Sequence, residues 1–148
     1  MQRVVEPSAW MGEDIQKTKV WIHQLTNEEV REIQSACASS LASDVSLANL
    51  KKENFPLPNF THRLEILLEE LENGLGLYLL RGFPTNEHSK EELRRIFWGI
   101  GLHCGTAVSQ SKRGDVLGDV RDIGTPHDGP NFRGYTSNGE LTYHCDAA

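Results

Sequence analysis

At 148 residues the chain has room for one domain with a real core, and its 38% apolar and 24% charged residues are ordinary globular usage, which argues against wholesale disorder. A formal net charge of -6 leaves no basic surplus to neutralise phosphates, so nucleic acid is a poor partner. No apolar run approaches the roughly 20 residues that span a bilayer, residues 1–7 lack the apolar core of a signal peptide, and Cys37, Cys104 and Cys145 form no CxxC pair, which together read as a cytoplasmic chain with reduced thiols and no membrane partner.

In chain order, residues 19–25 have the composition of a short strand. Thr26-Asn27-Glu28-Glu29 then supplies a capping box, and apolar residues at Val30, Ile33, Cys37 and Leu41 continue it as a helix. Phe55-Pro56-Leu57-Pro58 breaks that pattern. A second helix is expected from about Thr61, with Leu64, Leu67, Leu68 and Leu71 on one stripe and Gly74 at its stop.

The continuous apolar run at 75–81, bounded by Gly74 and the turn Gly82-Phe83-Pro84, has the form of a buried strand that begins a core sheet. Ser89-Lys90-Glu91-Glu92 is a second capping box, leading into a third helix whose buried face carries Leu93, Ile96, Phe97 and Ile100, with Gly101 and Gly105 available to end it. Residues 106–110 and 116–121 read as two strands of a hairpin around the polar turn 111–114. Residues 123–139, with four glycines and two prolines, read as a long surface loop of the kind that serves as a lid. Residues 140–146 alternate cleanly, Leu141, Tyr143 and Cys145 to one side and Thr142, His144 and Asp146 to the other. The result is an α+β pattern in a single domain 1–148, helical over 1–73 and with the start of a β-core over 74–148.

His144 and Asp146 are the residues with the most chemistry. On a strand, His-x-Asp sets an imidazole and a carboxylate on one face about 7 Å apart, so that their tips can converge on a divalent ion. By spacing alone, an ordinary His–Asp hydrogen bond on an exposed strand is the commoner reading. Cys145 points to the opposite face and reads as a core thiol. His103 and Cys104, adjacent at a helix end, read as a capping histidine and a buried thiol rather than a metal pair. His23, His62 and His88 have no partners in pattern and read as surface residues. Lys112-Arg113 reads as the decoration of a turn, Asp119, Arg121 and Asp122 as strand-edge ion pairs, and Trp10, Trp21 and Trp98 as core or cover residues.

Several of these segments together resemble the N-terminal half of the TauD/TfdA family of Fe(II)- and 2-oxoglutarate-dependent dioxygenases. The likeness lies in Gly-Leu-Gly-Leu-Tyr-Leu-Leu-Arg-Gly-Phe-Pro at 74–84, the helix and Gly105 that follow, Gly-Asp-Val-Leu-Gly-Asp-Val-Arg-Asp at 114–122, and Leu-Thr-Tyr-His-Cys-Asp at 141–146. The resemblance implies a double-stranded β-helix, or jelly roll, with flanking N-terminal helices. It also implies Fe(II) held by His144 and Asp146, 2-oxoglutarate as cosubstrate, and O2 and a small organic molecule as substrates. Asn138, Thr142 and His127 stand near enough in sequence to the ligand pair to touch cosubstrate or substrate. The family's distal histidine and its 2-oxoglutarate-binding arginine belong well past Asp146, so the expectation is a partial, truncated catalytic domain that is inactive alone. The alternative is a non-enzymatic binding module that forms a homo-oligomer through an open sheet edge.

Overall fold

The computed structural model describes residues 5–109, 116–122, 124 and 138. Its contacts divide the chain into two compact units, Met1–Ala107 and Val108–Ala148. The first unit runs α1 (Gly12–Gln16), β1 (Ile22–Gln24), α2 (Asn27–Ala42), α3 (Phe60–Glu72), β2 (Leu79–Arg81) and α4 (Lys90–Cys104), with single 3-10 turns at Leu47–Asn49, Lys52–Asn54 and Thr85–Glu87. It is a small mixed helix and sheet assembly.

Local chemistry sets the helix starts. The Thr26 hydroxyl accepts from the Glu29 amide at 3.2 Å while the Glu29 carboxylate accepts from the Thr26 amide at 2.8 Å, the reciprocal capping box expected there. Ser89 and Glu92 repeat it at α4, with 3.3 and 2.8 Å contacts. The α3 start is made differently. Asn59 offers no side-chain cap, and Glu32 of α2 reaches over to accept from the amides of both Asn59 (2.8 Å) and Phe60 (3.0 Å). Two otherwise orphaned helix donors thus receive a carboxylate from a neighbouring helix, which also suits the positive end of the α3 dipole.

The core lies where α2, α3 and α4 meet. Ile33, Ala36 and Cys37 come from α2, Phe60 and Leu64 from α3, and Ile96 from α4, around Phe55 and Leu57 of the connecting segment. Gly99 of α4 is buried directly against the Phe55 ring, which is fully buried. Arg95, only 7% exposed, donates to the Ser40 and Val45 carbonyls at 3.0 to 3.1 Å. Its charge therefore sits against carbonyl dipoles at the C-terminal end of α2.

The sheet departs from expectation. β2 is three residues long instead of seven, and it is not a buried strand: Leu79 and Arg81 are exposed and only Leu80 is partly buried. At the start of the run Gly76 closes the end of α3 instead, donating to the Glu70 carbonyl with a φ of 73° in the left-handed region. β2 pairs in parallel with β1, Ile22 opposite Leu79 and Gln24 opposite Arg81. Phe97, expected on the buried face of the third helix, is 68% exposed, and α4 continues past Gly101 to Cys104.

Past α4, residues 106–109 and 116–122 carry no strand among the described residues. Val108 and Val120, whose strand-favouring side chains suggested a hairpin, are mostly exposed. Asp122, expected in a strand-edge ion pair, accepts from the Gly124 amide at 2.7 Å, an Asx-type turn.

Candidate functional site

Of the residues singled out by sequence, His144, Asp146, Thr142 and His127 lie outside the described residues, as do Cys145 and Lys112-Arg113. Asn138 is described, at an exposed bend. Among the described residues no group of three or more His, Cys, Asp or Glu side chains is placed to hold a metal ion.

Several polar side chains of the first unit hold its elements together. His23 was expected at the surface without partners, yet its Nε2 lies 2.8 and 3.0 Å from the two carboxylate oxygens of Glu29, and both side chains are only 16% exposed. The sequence alternation did not disclose this pairing because the capping-box glutamate serves two masters: its oxygens also meet the Thr26 amide and, at 3.4 Å, Arg63 Nε. Burial pushes the Glu29 carboxyl up, but the Thr26 amide, His23 and Arg63 together outweigh it and hold the group below the ordinary value of 4.5. The cluster pins β1, α2 and α3 to one another.

His88 was also expected at the surface, and its side chain is 10% exposed. It stacks on Phe83 with ring centroids 5.2 Å apart, and Gln34 Nε2 lies 3.2 Å from its Nε2. Its Nδ1 stands 3.8 Å from Glu92, an ion-pair separation too long for a hydrogen bond. His62 does sit on the surface, 3.3 Å from Glu65. His103 binds the Phe55 carbonyl at 2.8 Å through Nε2, so it locks the segment before α3 rather than joining Cys104 in a metal pair. Burial pushes the thiols of Cys37 and Cys104 up, with Glu92 adding to the effect at Cys37, which makes both poor nucleophiles at neutral pH. Trp98 packs against the core, Trp21 donates to the Thr18 carbonyl at 3.1 Å, and Trp10 to that of Leu75 at 2.8 Å, in keeping with core and cover roles.

Sequence reading missed one concave feature. A cleft of about 390 Å³ opens between β2 and α4, walled by Leu25, Leu80, Phe83, Leu93, Phe97 and Ile100. Among the described residues, Thr85 is the only polar one on its wall. Such a surface is built to exclude water, with little to orient a reacting group.

The chain matches the taurine catabolism dioxygenase TauD, TfdA family over residues 42–148, and it belongs to that family of Fe(II)- and 2-oxoglutarate-dependent dioxygenases. It is 30% identical over 141 residues to FR-33289 synthase of Streptomyces rubellomurinus, a match covering 95% of this chain and 42% of the synthase. It is 24% identical over 118 residues to the taurine hydroxylase-like protein SAT17 of Stachybotrys chartarum, covering 79% of this chain and 31% of that protein. The chain thus spans less than half the length of the curated relatives it matches. Among the described residues no helix is long and apolar enough to cross a membrane.

Proposed function

We propose that this chain carries the His-x-Asp portion of an Fe(II)- and 2-oxoglutarate-dependent dioxygenase domain acting with O2 on a small organic substrate, within a jelly-roll fold. The observation that supports the reading is the family match over residues 42–148, which takes in His144 and Asp146. A neutral imidazole and a carboxylate two residues apart are the donor types that suit a divalent iron centre with open coordination positions. Iron with bound 2-oxoglutarate supplies the oxidative decarboxylation that activates O2 for hydroxylation.

The chain's own contributions are placement and charge. His144 would hold the metal through a neutral ring nitrogen, so iron binding is expected to weaken as acid protonates the imidazole. Asp146 contributes a negative charge that offsets part of the metal's. Asn138, Thr142 and His127 are assigned to contacts with cosubstrate or substrate, and the exposed bend at Asn138 is consistent with access from solvent.

The test is an anaerobic Fe(II) titration of the purified 148-residue chain with 2-oxoglutarate, followed by the weak visible charge-transfer band of the chelate. The expected result is little or no band from the chain alone and, with the unmatched remainder of FR-33289 synthase co-expressed, a band that His144→Ala and Asp146→Ala each abolish. A folded assembly that gives no band would count against the reading and favour a non-enzymatic binding module of the same family.

A further inference from the structure

We propose that His88 is a proton-operated toggle between α2 and the start of α4, sensing acid through a pairing with Glu92 and reporting it by turning over the side-chain amide of Gln34. The ring is enclosed from three directions. Phe83, in the turn after β2, stacks on it with centroids 5.2 Å apart, Gln34 of α2 reaches its Nε2 at 3.2 Å, and Glu92 of α4 stands 3.8 Å from its Nδ1. With its side chain only 10% exposed, the imidazole must answer a change of charge largely through these neighbours.

Hydrogen-bond chemistry fixes where the proton of the neutral ring sits. Gln34 presents its amide nitrogen, and an NH2 group only donates, so Nε2 must accept. The neutral imidazole is then the Nδ1–H tautomer. That N–H is buried and has no hydrogen-bond acceptor among the described residues, while a carboxylate lies at ion-pair distance in front of it. A buried donor without a partner calls for an explanation, and a second charge state that uses it supplies one.

Protonation changes what both nitrogens meet. A new proton on Nε2 faces the Gln34 NH2 donor to donor, and the contact is restored only when the amide turns over so that its oxygen accepts. Nδ1–H, now part of a cation, gains the attraction of Glu92. Glu92 supplies it without giving up its helix cap, because Oε2 takes the Ser89 amide at 2.8 Å and the Ser89 hydroxyl at 2.7 Å while Oε1 faces His88. The Ser89 hydroxyl and amide hold the Glu92 carboxyl below its ordinary value of 4.5, with His88 adding to the effect, so it is still an anion where histidines ordinarily titrate. The ionisable groups behind these contacts are otherwise engaged. Cys37 of α2 is a thiol that burial and Glu92 push up, and it donates to the Glu92 carbonyl at 3.9 Å. Arg95 of α4 is spent on the Ser40 and Val45 carbonyls. Both charge states thus hold α2 to α4, with the Gln34 amide reversed between them.

The experiment is a titration of the isotope-labelled 148-residue chain from about pH 8 to about pH 5, read by proton–nitrogen correlation spectra of the histidine rings and of the Gln34 side-chain amide. His88→Gln assigns the His88 signals. The expected result is a ring that carries its proton on Nδ1 at the alkaline end and, on acidification, a shift of both Gln34 amide protons with the same midpoint as the ring. Glu92→Gln keeps the capping box, since glutamine also serves at that position, and is expected to move the midpoint to lower pH. The tautomer and the Gln34 response are read on the parent chain, so they decide the matter even where that variant does not fold. A neutral ring protonated on Nε2, Gln34 amide signals that ignore the His88 titration, or a midpoint that Glu92→Gln leaves in place would each overturn the proposal.

Discussion

Replacing Gly99 by alanine sets two effects of opposite sign against each other in the middle of α4. Alanine is the better helix former by about 1 kcal/mol, so at an exposed position the change would stabilise the unit. At Gly99 the added methyl enters the van der Waals envelope of the Phe55 ring, meeting three of its carbons at once. That ring is fully buried among Ile33, Leu57, Phe60, Leu64 and Ile96, so it has no solvent to swing into. Overpacking of this kind costs about 1–3 kcal/mol, and relief by moving α4 would disturb the Arg95 and His103 hydrogen bonds on either side of the position. Set against the gain in helix propensity, the net expectation for Gly99→Ala is a loss of up to about 2 kcal/mol, a fall in Tm of up to roughly 8–16 °C for a unit of this size. Urea unfolding followed by circular dichroism reads the midpoint directly. Phe55→Leu placed beside Gly99→Ala should recover part of the loss, giving a coupling between the two sites in a double-mutant cycle. An alanine variant about 1 kcal/mol more stable than the parent would show that the ring and helix do not meet as described.

Three further outcomes follow from contacts outside the proposed metal site. Glu32→Ala should destabilise the first unit by about 1–2 kcal/mol by leaving the Asn59 and Phe60 amides without their carboxylate, with faster amide exchange at the start of α3 as the site-specific signature. Arg95→Ala should cost about 2–4 kcal/mol, because the Ser40 and Val45 carbonyls lose a shared donor inside the protein; denaturant titration measures it. Glu29 has a native pKa held below 4.5, so the unfolded chain binds the proton first as pH falls. Its contribution is therefore complete above 4.5 and is lost as pH drops through the native value. Urea midpoints measured from pH 6 down to about 3 should fall more steeply for the parent than for Glu29→Gln, and equal slopes would count against the assigned charge cluster.

Helix starts were the most legible part of the fold because their chemistry is local. Thr26 with Glu29, and Ser89 with Glu92, carry cap and reciprocal partner within four residues, and both boxes form where the spacing placed them. The α3 start was legible only in position. Its actual cap, Glu32, is 27 residues from Asn59, and nothing in a short sequence window connects them. Arg95 illustrates the same limit: read along α4 it is one charge among several, while in space it binds carbonyls 50 and 55 residues earlier. Phe97 misled in the opposite direction, since helical periodicity marks it as apolar and cannot say whether a partner layer lies against it. His144 and Asp146 were readable as donor types and as part of a family pattern, and their geometry lies outside the described residues.

The parallel pairing of Ile22–Gln24 with Leu79–Arg81 imposes an order of events on biosynthesis. A ribosome adding about 5–20 residues per second leaves β1 waiting roughly 3–11 s for its partner. Over that interval α2 and α3 have already been made, and their shared apolar faces can meet at little loop-closure cost. The sheet thus closes on a helical scaffold that precedes it, and any change that slows helix pairing prolongs the time β1 stands as an unmatched edge.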